Sequence, residues 1–254
     1  MLSVSTEMSS TTPSVASYQP TAEQLQVLQT ASEFAYQVWE SRTISCQTFL
    51  RSYPLEQTLT RQQIDDLIQD YTLDENYQTA DEPKVMSGLR HLRMLLMMRW
   101  IWQDALSIIS LEQLTDELSE FADGCILFAK DYTYEQLIVK YGKPTFINEQ
   151  GELKTDDMAV MAMGKLGAHE LNLSSDIDLV FVHQARGMTD GDKSKGTRSI
   201  DNKRFMTRLG QGIIKLLDNN TADGFVFRVD MRLRPWGDGS DLAIHLSALQ
   251  KYFA

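Results

Sequence analysis

Cysteine is scarce in this chain. Only Cys46 and Cys125 occur among 254 residues. Both lie in helix-like, partly apolar stretches with no histidine close by in sequence, so two reduced core cysteines are expected rather than a catalytic thiol. Positive charge is also short: 24 Lys and Arg stand against 35 Asp and Glu, a net charge of −11. Phosphate backbones are bound mainly by excess Lys and Arg, so this balance argues against a nucleic-acid partner but not against a nucleotide or another protein. No apolar run reaches the roughly 18 residues of a membrane span. The first 20 residues are rich in Ser and Thr and lack an apolar core, and the first basic residue is Arg42. Neither a secretory signal nor a transit peptide fits that pattern, and a cytoplasmic, reducing location is expected.

The length suffices for one large core or two small ones. Periodicity divides the chain into three parts. Residues 1–20 read as a disordered lead-in. Residues 21–142 read as an all-helical segment. It opens at a capping box formed by Thr21 and Gln24, and includes a helix over Thr60–Asp70 and a long apolar helix over Leu89–Ile109. Asp74–Pro83 reads as a polar loop. A further helix runs from Leu111 to about Tyr141, with a break expected near Gly124, and Gly142-Lys143-Pro144 ends it. Residues 143–254 switch to strand periodicity. Met158–Met163 is a buried strand, Gly164-Lys165-Leu166-Gly167 a glycine-bracketed turn, and Ile177–His183 a second strand. Gly187–Ser199 is a polar loop, a helix follows Asp201, and Phe225–Leu233 is a third long strand closed by Pro235. Ser247-Ala248-Leu249-Gln250 resembles a capping box opening a helix, yet only four residues follow. One turn of helix is not stable alone, so a truncated product or a fragment is expected.

The candidate chemistry lies in the last part. Asp176 and Asp178 are two residues apart at the start of an apolar strand, and side chains two apart share one strand face. On the third strand the same rule puts Arg228, Asp230, Arg232 and Arg234 on one face, opposite Phe227, Val229, Met231 and Leu233. Three carboxylates on apolar strands are costly unless their charge is compensated. Hard cations held by the acids, with guanidinium groups on phosphate oxygens, are what metal-dependent phosphoryl or nucleotidyl transfer needs. The glycine turn reads equally as a phosphate cradle, with backbone N–H groups and Lys165 aimed at an anion, or as a tight strand-to-helix turn that simply needs glycine. It is not a Walker motif, because Gly-Lys-Ser/Thr is absent. His169 and His183 lack metal-type spacing and read as structural.

Two long runs carry a family resemblance. One is Met163-Gly-Lys-Leu-Gly-Ala-His-Glu-Leu-Asn-Leu-Ser-Ser-Asp-Ile-Asp-Leu179. The other is Asp223-Gly-Phe-Val-Phe-Arg-Val-Asp-Met-Arg-Leu-Arg-Pro235. Both resemble the signatures of the bacterial bifunctional glutamine synthetase adenylyltransferase/adenylyl-removing enzymes, and the similarity extends back through Leu89–Gly142. That family joins two related nucleotidyltransferase domains. One removes AMP from a tyrosine of glutamine synthetase by phosphorolysis, giving ADP, and the other attaches AMP from ATP. The helical lead-in and Met231-Arg-Leu-Arg-Pro-Trp-Gly237 resemble the N-terminal, adenylyl-removing part.

The resemblance implies an α+β fold: a polymerase-beta-type nucleotidyltransferase mixed sheet flanked by helices and preceded by the helical segment, with residues 143–254 as a C-terminally truncated catalytic core. It implies that Asp176, Asp178 and Asp230 ligate two Mg²⁺ ions. Gly164, Lys165, Gly167, Ser175, Arg228, Arg232 and Arg234 would meet phosphate or nucleotide, with Arg232 and Arg234 first in line to hold inorganic phosphate. Substrates would be phosphate or ATP/ADP, glutamine synthetase the protein substrate and the PII signal protein a regulator. One departure stands out. The family usually continues after the Pro-aromatic-Gly with an acidic residue, Ser, Gly, Pro and Leu, whereas this chain reads Asp238-Gly239-Ser240-Asp241-Leu242. Two rival readings remain: another nucleotidyltransferase of this fold acting on a signal protein such as PII, or an inactive remnant that only binds glutamine synthetase or PII. The truncation leads to an expectation of marginal stability and weak catalysis.

Overall fold

The computed structural model describes residues 18–76, 78 and 80–254, so the expected lead-in lies almost wholly outside the described residues, and the Asp74–Pro83 loop partly so. Six helices come first: α1 (Ala22–Ala31), α2 (Glu33–Ser41), α3 (Thr43–Ser52), α4 (Arg61–Thr72), α5 (Glu82–Ala105) and α6 (Leu111–Tyr141). Capping explains several of their starts. Thr21, Thr60 and Ser110 each accept from the backbone N–H three residues on, and Gln24, Gln63 and Gln113 return the bond to the cap N–H. Asp81 caps α5, with Pro83 in its first turn, where a missing N–H costs nothing. The helix therefore begins seven residues before the apolar run that announces it.

Helix α6 is continuous through Gly124, contrary to the expected break. A Cβ there would lie 2.7 Å from Ile68 Cδ1 and 3.0 Å from Asp65 Oδ1, both on α4. This glycine lets two helices approach closely, and the surrounding packing offsets its weak helix propensity.

The strands follow: β1 (Pro144–Ile147), β2 (Leu153–Thr155), β3 (Met158–Met163), the single turn α7 (Gly164–Gly167), β4 (Ile177–His183), β5 (Met188–Thr189), α8 (Asn202–Asp218), β6 (Val229–Asp230), β7 (Ala243–His245) and α9 (Leu246–Phe253). They form two sheets. In the small one, β1 lies between β2 and β5, antiparallel to both. The second is mixed. Strand β3 runs antiparallel along one edge of β4, while β6 and β7 lie parallel along the other, beside its first and last residues respectively. Mixed sheets and helices after a helical segment give the expected α+β nucleotidyltransferase-type architecture.

Three sequence expectations need correction here. The third long strand shrinks to Val229–Asp230 because the chain leaves the edge of β4 after Asp230 and rejoins it only at Ala243. Before it, the N–H groups of Val226 and Phe227 bond to Leu217 O at the end of α8 rather than to a strand. The polar loop after Gly187 contains β5, paired to β1. The last helix is capped by His245, whose Nδ1 accepts from Ser247 N, and not by Ser247.

Alternate residues of β4 serve two faces. Ile177, Leu179 and Phe181 enter the main core, which runs continuously from Leu28 on α1 to Ala243 on β7. Val180 and Val182 form a smaller cluster with Ile244, against which Met163, Ala248 and Leu249 pack. Asp178 belongs to this second face by alternation.

Inside the main core, Arg99 is fully buried against Glu117, Nη1 to Oε2 3.2 Å, and Glu117 also accepts from Trp100 Nε1 at 2.7 Å and Leu59 N at 2.9 Å. His183 is buried 3.4 Å from Asp156 Oδ2. Both cysteines are free and buried. Burial pushes the Cys46 thiol up to about 11 and raises Cys125 as well, which disfavours the thiolate at both.

Candidate active site

The site is assembled where β3, β4 and β6 end or begin side by side. Asp178, second residue of β4, is in register with Met163 at the end of β3 and with Asp230 at the end of β6. Partners in register carry their side chains on the same sheet face. Asp176 precedes β4 by one residue, and the next residue is anchored by its N–H to Arg228 O at 2.9 Å. Asp176 is exposed, while Asp178 and Asp230 are half-buried.

The glycine turn fits tightly over these acids. Gly164 has φ +55, and a Cβ on it would lie 2.5 Å from Asp178 Oδ2. A Cβ on Gly167 would lie 2.5 Å from Ala162 O. Close approach therefore accounts for both glycines, and the backbone at Gly164 passes close against the Asp178 carboxylate. Lys165 is exposed, with Nζ donating to Ser175 Oγ at 3.4 Å. Asn172 organises the loop into β4. Its Oδ1 accepts from Ser174 N at 3.2 Å and from Ser175 Oγ at 2.8 Å.

The three arginines separate. Arg232 folds back on Asp230, its Nε 3.0 and 2.8 Å from the two carboxylate oxygens and its N–H 2.8 Å from Oδ1. Arg234 Nη1 donates to Met231 O at 2.6 Å. Arg228 is exposed and stacks on Phe225, 5.3 Å from guanidinium to ring centre. The common strand face expected for them does not form, because the strand ends at Asp230.

Charge at the site is uneven. Burial first, then the neighbouring Asp230 and Asp176 carboxylates, hold the Asp178 carboxyl above its ordinary range. The Arg232 hydrogen bonds hold Asp230 below its range. Asp178 feels the Asp230 and Asp176 carboxylates, and Arg232 is the counter-charge to Asp230. Carboxylates are the donors a hard divalent cation takes, although among the described residues the group with one ligand atom each within 4.8 Å of the others is Asp116, Glu120 and His169 rather than these three.

Two features were not foreseen from the sequence. Arg93 on α5 reaches this end of the sheet and stacks on Phe225 at 4.9 Å. Asp116 and Glu120 on α6 meet His169, with one ligand atom from each within 4.8 Å of the others and His169 Nδ1 2.8 Å from Asp116 Oδ1. The four-residue spacing of the two acids on a helix was a visible signal. Their meeting with His169 was not, because it depends on how α7 docks against α6.

A profile of the glutamate-ammonia ligase adenylyltransferase family matches residues 22–254. Three similar proteins all bear the name bifunctional glutamine synthetase adenylyltransferase/adenylyl-removing enzyme. That of Acinetobacter baylyi is 46% identical over 237 residues, covering 83% of this chain and 25% of its own length. That of Thioalkalivibrio sulfidiphilus is 44% identical and that of Hahella chejuensis 45%, each covering 68% of this chain and 17% of its own length. The chain thus spans a quarter or less of the relatives it matches. Among the described residues no helix is long and apolar enough to cross a membrane. A family match over almost the whole chain, joined to an acid-bearing mixed sheet, makes this chain a member of the glutamate-ammonia ligase adenylyltransferase family.

Proposed function

We propose that this chain is the adenylyl-removing nucleotidyltransferase part of an enzyme that regulates glutamine synthetase, with residues 143–254 as its catalytic core and 21–142 as helical support. The observation that carries the reading is the register of Asp178 with Asp230, beside Asp176 and under Gly164. The names of the relatives, which couple both activities to glutamine synthetase, support the substrate. The form of Met231–Gly237 supports removal over attachment.

In this reading Asp176, Asp178 and Asp230 hold Mg²⁺, which when bound supplies positive charge to the AMP phosphate and to the departing oxygen. Inorganic phosphate attacks the AMP phosphorus, and a new P–O bond gives ADP. The bond to the tyrosine oxygen breaks, its electron pair stays on the phenolate, and a proton follows. Tyrosine ionises near a pKa of about 10, so its departure needs neutralising charge. Phosphate is already anionic and needs positioning more than deprotonation. Lys165 and the arginines around Asp230 are the cations available for that. Family resemblance adds PII as the regulator.

The test is to incubate the protein with adenylylated glutamine synthetase, phosphate and Mg²⁺ and to separate the products. ADP and unmodified tyrosine are expected. AMP release would mean hydrolysis and contradict a bound phosphate nucleophile. Tight binding of glutamine synthetase with no product under any condition would favour the inactive binder.

A further inference from the structure

Helix α5 carries three arginines that turn inward, and two of them are satisfied. Arg90 donates to Gly224 O at 2.8 Å, Met86 O at 2.9 Å, Leu216 O at 3.1 Å and Asn219 O at 2.5 Å. Arg99 is paired with Glu117, Gln103 and loop carbonyls. Arg93, between them, differs. Its Nε is buried with no hydrogen-bond partner, and its guanidinium makes no ion pair or hydrogen bond among the described residues. Its guanidinium lies over the ring of Phe225, 4.9 Å away, which Arg228 shares at 5.3 Å. Arg228 likewise has no acidic partner among the described residues. Both arginines line a cavity of about 360 Å³ with Phe225, Ser174, Ser175 and Asp176.

A desolvated guanidinium without a counter-charge is costly, and a chain of net charge −11 does not lack acids to supply one. Arg93, with its buried Nε, and the exposed Arg228 converge on one ring, in a cavity within the size range of small-ligand sites (roughly 300–1,000 Å³), which leaves room for an anion from outside. Lys165 stands one residue beyond the wall, on Ser175. Guanidinium forks match phosphate oxygens geometrically. The cavity reaches the carboxylate group through Asp176.

We propose that Arg93 and Arg228 form an oxyanion site for a phosphoryl dianion, with Phe225 as the platform that spaces them. It rests on the nucleotidyl-transfer reading only for the reaction that would use it. The anion is either free inorganic phosphate or the terminal phosphate of a nucleotide such as ADP, and the shared chemistry is a tetrahedral dianion.

The experiment measures binding without turnover. Inorganic phosphate and ADP are each titrated calorimetrically into the wild-type chain, Arg93→Met and Arg228→Gln, without divalent metal. Each substitution is expected to weaken phosphate binding on the order of tenfold or more. Weakening for both ligands, with phosphate displacing ADP, assigns a shared phosphoryl site. Weakening for ADP alone assigns the nucleotide's phosphate. Unchanged affinity for both ligands in folded variants overturns the site.

Thermal melting separates a structural role. Without ligand, Arg93→Met should melt at or above the wild-type temperature, because it removes an uncompensated charge. A clear fall in melting temperature with intact phosphate affinity would make Arg93 a packing residue and overturn the proposal. If Arg93→Met does not fold, Arg228→Gln at its exposed position decides. Lack of activity toward adenylylated glutamine synthetase would count against the functional reading and leave this site standing.

Discussion

Asp178 of β4 and Asp230 of β6 face each other across a parallel strand pair, and their protonation is pushed in opposite directions. Asp178 is half-buried among carboxylates. Asp230 is gripped by Arg232. A cation held here, as proposed, would relieve the first acid and compete with the arginine for the second.

The strain on Asp178 has a measurable sign. Its folded pKa lies above its unfolded value, so the preference for the folded state is full below the unfolded pKa and is lost as pH rises through the folded pKa. Asp178→Asn does not ionise. The metal-free variant should therefore melt above wild type at pH 7, and the gain should vanish below about pH 4, where both side chains are neutral. Melting curves in chelator across this range check it. The same substitution should lower nucleotidyl transfer by ~10²-fold or more.

Arg232→Gln should act on Asp230 with the opposite sign. At present Asp230 contributes stability above its unfolded pKa, and this is lost as pH falls through the folded value. Removing the guanidinium should move the Asp230 titration upward, as read by carboxyl carbon NMR. It should also raise Mg²⁺ affinity, because the cation no longer displaces an arginine.

Gly164→Ala should be poorly tolerated. The residue sits at φ +55, and the new methyl would meet Asp178 Oδ2 at 2.5 Å. Left-handed backbone for a non-glycine residue costs about 1–3 kcal/mol, and the clash displaces the carboxylate as well. Loss of activity larger than the loss of stability is expected. Gly151→Ala makes a control. Its φ is +79, yet a Cβ there meets nothing within 4 Å, so only the backbone cost applies.

The elements fixed by local patterns were the most legible in the sequence. Strands β3 and β4 and the helix after Asp201 occur at their expected boundaries, because alternation and an aspartate cap are contained in a few neighbouring residues. The Asp176–Asp178 pair was legible for the same reason. The long strand Phe225–Leu233 was not, since whether the chain beyond Asp230 pairs depends on the edge of β4, which β6 and β7 share. Arg93 was hidden among the apolar residues of α5, and His169 among the loop residues after α7. Their roles exist only once α5, α6 and the sheet come together.

In the helical segment, Glu117→Ala should destabilise the fold by about 3–5 kcal/mol. It leaves Arg99 charged and buried, and strips the acceptor from Trp100 Nε1 and Leu59 N. Chemical denaturation measures the change. A loss under about 1 kcal/mol would mean that the carbonyls around Arg99 suffice without the carboxylate.

The most direct test of the account is calorimetric titration of Mg²⁺ into the wild-type chain, Asp176→Asn, Asp178→Asn, Asp230→Asn and His169→Ala. The account predicts binding in wild type and in His169→Ala, and strong weakening in each of the three aspartate variants. Binding that persists in the aspartate variants and disappears in His169→Ala would place the cation among Asp116, Glu120 and His169 and contradict the proposed centre.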